Sequence, residues 1–302
     1  AIIGTGQSIA QQSLIRYSRA QEQAADQAAV RYLENVGRSA KGMLETFYKL
    51  EDQELLVPER QDPYLRSHPL TRDRIRFVRN FIETSKYAIA KSTAVELMAH
   101  SRMVAKLYSF LNSPGKTLRT YRTSDTSVPA RYARAIAYYK IPDLEKAIGE
   151  IDSLLREYPN DPWFHELKGQ ILFENGHIAL SIAPYERAVE LRPDEALLRL
   201  GLARAQIEIN DPLFNKKAIE NLIIAVRSES NHAPHWHFLG IAYGRDQQLA
   251  QSSLALAEAS ILRGEYVDAK YHAEKAKRGL DNGSPAYLRA EDISMAASHG
   301  NR

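Results

Sequence analysis

The sequence predicts an all-α protein built in two parts. Three observations carry that prediction: a long opening run with apolar residues at helical intervals, a polar turn-rich lapse in periodicity near residues 112–127, and a self-similarity of 34 residues beyond it.

From Gln11 to about Asn35 the chain is rich in Ala, Gln, Arg and Glu and contains neither Gly nor Pro, so one long helix is expected. Gly37 ends it. Helical spacing returns from Ala40 to about Glu54 through Met43, Leu44, Phe47, Tyr48 and Leu50. Residues 55–70 hold three prolines and no periodicity, which predicts a loop long enough to carry function. Helices then run with breaks from Thr71 to Leu111. Asn112-Ser113-Pro114-Gly115 and the polar stretch from Arg119 to Ser127 mark a boundary, giving parts of 1–115 and 128–302 joined by a linker at 116–127.

In the second part a shift of 34 residues pairs Ala135 with Gly169 and Ala203, and Pro159 with Pro193. That is the tetratricopeptide (TPR) period. An insertion of three residues then places Leu222 and Ala225 37 residues after Tyr185 and Ala188. Trp236-x-x-Leu239-Gly240-x-x-Tyr243 opens the next unit, and Gly264, Ala269, Ala273 and Ala276 suggest a fourth, with a capping helix near 286–297. Small residues at Gly169, Ala188, Gly240 and Ala276 would let paired helices approach closely while aromatics fill the remaining space.

Composition excludes several classes. There is no cysteine, hence no disulfide, thiolate metal site or cysteine nucleophile in this chain. A formal net charge of +3 in 302 residues does not argue for nucleic acid. The apolar stretch from Tyr87 to Ala99 is broken by Lys91, Ser92 and Glu96, so no transmembrane segment is expected. The opening Ala1-Ile2-Ile3-Gly4 lacks an initiator Met and a signal-like core, which predicts a removed or upstream segment.

Two short segments carry chemistry. In Ser18-Arg19-Ala20-Gln21-Glu22-Gln23-Ala24-Ala25-Asp26, the carboxylates Glu22 and Asp26 stand four apart, on one helical face among alanines. In Ser67-His68-Pro69-Leu70-Thr71-Arg72-Asp73-Arg74-Ile75 a loop bearing His68 enters a helix. Taken together with Gly37, Gly42 and Met43, these residues resemble the HExxH zinc metallopeptidases of the HtpX/BepA-like family, whose BepA-like branch ends in a TPR domain. The resemblance covers nearly the whole chain. It implies that 1–115 is the C-terminal portion of a helical zinc metallopeptidase domain, with Glu22 a zinc ligand and Asp26 an acceptor that orients a zinc-bound His. It places His68 and Arg74 in an active-site loop segment, with His68 able to close the metal's open position. It also implies polypeptide substrates, a TPR groove for clients or the outer-membrane protein assembly complex, and a periplasmic location.

The departure is that no HExxH occurs: His165-Glu166-Leu167-Lys168-Gly169 has Gly in place of the second His and falls in a repeat helix. The chain is therefore expected to be a fragment, inactive alone, because a lone Glu holds zinc poorly. A non-catalytic TPR adaptor on a decayed protease domain is the alternative, and Ala24 and Ala29 show some drift from the family pattern. His232, His235 and His237 fall at the start of the Trp236 helix, where capping is expected, and Gly115-Lys116-Thr117 lacks the first Gly of a phosphate loop. The basic residues of 72–80 and 116–123 read as solvated faces.

Overall fold

The computed structural model describes residues 20–54 and 72–300, and these are all-α, with no strand among them. Contacts divide the chain into two compact units, Ala1–Ala99 and His100–Arg302.

The first unit holds α1 (residues 20–35), α2 (Lys41–Glu54), α3 (Arg72–Thr84) and the beginning of α4 (Ala94–Leu111). Its core joins Val30 of α1, Phe47 of α2, and Ile75, Val78 and Ile82 of α3, with Met43 and Leu44 packed against them. The three α3 residues recur at intervals of three and four, the spacing that places side chains on one helical stripe. Gly37, at φ +71°, supplies the left-handed turn that ends α1, and the Arg38 N–H donates to the Leu33 carbonyl across it. The expected extension of α1 back to Gln11 and the proline-rich loop at 55–70 lie outside the described residues.

The second unit holds the rest of α4, then α5 (Pro114–Thr120), α6 (Val128–Lys140), α7 (Leu144–Glu157), α8 (Pro162–Glu174), α9 (Ile178–Leu191), α10 (Ala196–Glu208) and α11 (Pro212–Ser228). These are followed by α12 (Ala233–Arg245), α13 (Leu249–Leu262), α14 (Tyr266–Lys277) and α15 (Pro285–Gly300). Asp143, Asp161 and Asp211 accept backbone N–H bonds at the starts of α7, α8 and α11. Successive helices pack in pairs, α6 with α7 around Ile136, Ile151 and Leu154, and α10 with α11 around Ala203, Ile207 and Leu222. The turn inside each pair repeats as well: Gly176, Asn210 and Gln247, spaced by 34 and then 37 residues, all adopt positive φ.

Small residues set the spacing of the pairs. A Cβ built on Gly169 of α8 or Gly201 of α10 would come within 2.8 Å of the Tyr185 ring, so this side chain of α9 packs against bare backbone on both neighbours. On α12, a Cβ at Gly240 would meet Leu256 at 2.8 Å. Of the sequence match at Gly264 to Ala276, Gly264 falls in the turn between α13 and α14, and Ala269, Ala273 and Ala276 fall on α14. Since α13 also packs on α12, it belongs to two overlapping pairs, and Ile293 and Ala297 of α15 close the series over Ala257, Ala269 and Ala273.

The stretch 116–127, expected as a linker, is partly helical, because α5 runs through it with Thr117 buried. The Lys140 ammonium of α6 donates to the carbonyls of Ser109, Phe110 and Asn112 at 2.9, 2.9 and 2.7 Å, satisfying the end of α4. Arg102 of α4 lies 4.2 Å from the Phe164 ring centroid and pairs with Asp161 at 2.7 Å.

Two substitutions test this packing by urea denaturation. Gly169→Ala is expected to destabilise the chain by ~1–3 kcal/mol, since the added methyl overpacks Tyr185. Gln247→Gly is expected to stabilise it by up to ~1 kcal/mol, because Gln247 is exposed and holds a left-handed conformation that costs an L-residue about that much.

Candidate metal-ligand site

Glu22 and Asp26 lie on α1 one turn apart, and the stripe that carries Asp26 continues into buried Val30 and half-buried Leu33. Asp26 is 2% exposed. A carboxylate taken that far from water needs a partner, and Arg74 in the first turn of α3 provides it. The Arg74 Nε and Nη2 donate to the two Asp26 oxygens at 2.7 and 2.9 Å, a two-point pairing with matching planar geometry. Its Nη1 stands 2.9 Å from a Glu22 oxygen. The guanidinium also lies 5.0 Å from the Phe47 ring centroid, so α2 supplies the apolar surface that carries it. One cation on α3 thus holds two acids of α1 and an aromatic of α2 in fixed relation.

The structure therefore brings together Glu22, Asp26 and Arg74, three of the residues singled out in sequence. Arg74 is a correction to the reading of 72–80 as a wholly solvated face, since its side chain is only 11% exposed. Its neighbours behave as expected: the Arg76 side chain is 69% exposed, and Arg79 reaches Tyr48 at 2.7 Å. His68, with Ser18, Arg19, Ser67, Pro69 and Thr71, lies outside the described residues. The pairing of Arg74 with the acids was not drawn from sequence. The signal that could have found it is a buried-stripe position occupied by Asp26, which demands a cation from elsewhere.

As a place for zinc, the cluster offers one donor that fits, the Glu22 carboxylate, held near but not sealed from solvent at 12% exposure. Zinc takes three or four N, O or S donors at catalytic sites, and the rest of that set is not present among the described residues of this unit. Asp26 keeps acceptor capacity beyond the two bonds from Arg74, because a carboxylate has about four lone-pair sites.

The remaining motifs resolve into packing. Glu166 pairs with Lys106 at 3.3 Å and His165 Nε2 lies 2.8 Å from the Pro159 carbonyl, so the HELKG segment is structural. Lys116 of α5 donates to the Asn112 side chain, just past the end of α4. At the junction of α11 and α12, Glu229, His232 and His235 offer ligand atoms within 4.8 Å of one another, whereas His237 stands apart from that group.

Comparison with known proteins places these features in a family context. Residues 1–82 match the family described as Peptidase family M48. The chain is 27% identical over 255 residues to the beta-barrel assembly-enhancing protease of Yersinia pestis, covering 82% of this chain and 52% of that protein. It is 24% identical over 260 residues to the protein of the same name from Escherichia coli K12, covering 84% of this chain and 52% of that protein. The chain thus spans about half the length of these curated relatives. Among solved structures, YrrB, a TPR protein with an unusual peptide-binding site, aligns with a TM-score of 0.45 at 19% identity over 58% of this chain and 90% of its own. The resemblance to HtpX/BepA-like metallopeptidases drawn from the motifs is borne out by the matches to Peptidase family M48 and to these proteases.

Arg74→Ala is expected to lower stability by ~3–5 kcal/mol in urea denaturation, because it leaves a buried carboxylate unpaired. Adding Asp26→Asn to that variant should recover part of the loss. No recovery would mean that Arg74 acts through its contact with Phe47 instead.

Proposed function

We propose that this chain is part of a zinc-dependent metalloendopeptidase that acts on polypeptides, with its repeat unit binding clients or an assembly complex. The observation that carries this reading is the convergence of Glu22 and Asp26 with Arg74, which stands 48 or more residues from either acid in sequence, onto one partly buried cluster. Such a cluster is built where a carboxylate must keep one position against thermal motion, as a metal ligand does.

In this reading Glu22 is one protein ligand of the metal and Asp26 orients a second ligand, a His that the HExxH of the complete protein would supply. Bound zinc would polarise the scissile carbonyl and activate a water. The work of this chain's own residues is to position. Arg74 neutralises part of the charge on both acids and locks the Asp26 carboxylate plane, so that its remaining lone pairs face a defined direction. Phe47 keeps water off the guanidinium. His68, by the resemblance, would be able to close the metal's open position and restrain activity. The division of labour would put the metal in residues 1–115 and client binding in 128–302.

Location in the periplasm and a part in outer-membrane protein quality control belong to the same reading; the name of the Yersinia and Escherichia relatives, a beta-barrel assembly-enhancing protease, supports it. Among the described residues no helix is long and apolar enough to cross a membrane. A polypeptide partner also suits a repeat array, whose stacked helices present an extended surface.

A non-catalytic TPR adaptor is the second reading, and one observation favours it: Arg74 takes up Glu22 as well as Asp26, as a purely structural cluster would. The two separate in a full-length protein that carries an HExxH segment. Glu22→Ala is expected to abolish cleavage of an unfolded substrate such as casein, and Asp26→Ala to lower it by ~10–100-fold, the usual cost of losing a residue that orients a metal ligand. His68→Ala is expected to raise it. Cleavage unaffected by Glu22→Ala, or absent in the unaltered protein, would leave the adaptor.

A further inference from the structure

The repeat unit contains a group of side chains that its own register does not explain. Position 235 is equivalent to 198 and 164, by the spacings of 37 and 34 residues, and there the earlier repeats bury Leu198 and Phe164, at 1% and 0% exposure. Here the position is His235, also 0% exposed. Its Nε2 has no hydrogen-bond partner, and its Nδ1 lies 3.5 Å from the Glu229 carbonyl, at the limit of a hydrogen bond. An imidazole buried in place of a phenyl or isobutyl group, with a ring nitrogen unsatisfied, is costly unless something else takes the lone pair.

Its two neighbours are out of register in the same sense. Position 232 corresponds to Asp161, which caps α8 through its side chain, and to Glu195. His232 begins α12 but makes no side-chain capping bond, and its Nδ1 is buried without a partner. Capping, the role expected from sequence, is therefore not what His232 does. Position 229 corresponds to Tyr158 and Arg192, and here it is Glu229, at the end of α11. The His232 and His235 rings lie 4.3 Å apart between centroids, and one ligand atom from each of the three residues falls within 4.8 Å of the others.

We propose that Glu229, His232 and His235 form a binding site for a borderline divalent cation of the zinc class, clamping the junction between the α11 and α12 helices. Two imidazoles and a carboxylate are a donor set that zinc takes, and three protein donors leave a fourth position for water. The metal would hold the end of one repeat to the start of the next, at the C-terminal end of α11, the helix in which the period lengthens from 34 to 37 residues. His237, two residues on, is not part of the group, and its ring packs edge-on to Phe238 at 5.6 Å.

The test is zinc binding by the tag-free, chelator-treated full chain, measured by equilibrium dialysis with elemental analysis and by cobalt substitution with visible spectroscopy. A single zinc equivalent is expected to be retained. His232→Ala and Glu229→Gln should weaken it by at least ~10-fold. His235→Leu, which installs the residue of the equivalent Leu198 and so preserves the fold, should remove it along with the cobalt ligand-field bands. His237→Ala and Glu22→Ala should leave it unchanged, which separates this site from the one proposed at Glu22. Absence of retained zinc, or retention undiminished in His235→Leu, would overturn the proposal.

Discussion

How closely two helices can approach governs the larger unit, and Tyr185 shows the rule most plainly. Its ring occupies the space that side chains at positions 169 and 201 would otherwise fill, so α8, α9 and α10 meet through one aromatic and two glycines. The pairing distance then fixes where Leu202, Ala205 and Ile182 fall, and these form the next piece of core. Because each pair uses both faces of its helices, a change at one contact is felt by the neighbours on either side. The overlap at α13, which packs on both α12 and α14, extends that dependence to the end of the array.

The smaller unit depends on charge where the larger depends on shape. Without Arg74, the stripe of α1 that carries Asp26 could not be buried, and α1 would lose the position that keeps Glu22 beside α3. The arrangement is expensive in desolvation and repaid only because both acids and an aromatic ring share one cation. That is a geometry for holding a direction more than for stability, since an apolar residue in the place of Asp26 would pack at lower cost.

Helix positions, the 34-residue period and its lengthening to 37 were legible because they depend on local spacing, and α6 to α13 follow that pattern. The helix α5 was not, because Ser113-Pro114-Gly115 reads as a turn. Its Pro occupies the first helical turn, where no N–H is needed, and Thr117 is buried by tertiary packing that local sequence does not show. In the same way Glu22 and Asp26 could be put on one face from their spacing, whereas Arg74 stands 48 residues beyond Asp26 and was assigned only to a motif. The histidine group shows both sides: two of its members were visible as a cluster, but His237 was included for proximity in sequence and Glu229 was missed, since helix geometry sends residues two apart to different faces.

The end of α4 deserves to be read as part of the array and not as its tether. Lys140 closes its last carbonyls, and Arg102 lies over the ring of Phe164 while gripping the acid that starts α8. In a stack of helix pairs the outermost pair has one face with nothing behind it, and α4 is what stands there. The point at which periodicity lapses in the sequence is therefore not the point at which the folding unit begins. A piece severed at that lapse would carry Tyr132 and Phe164 on a bare end, an adhesive surface that invites chains to join end to end.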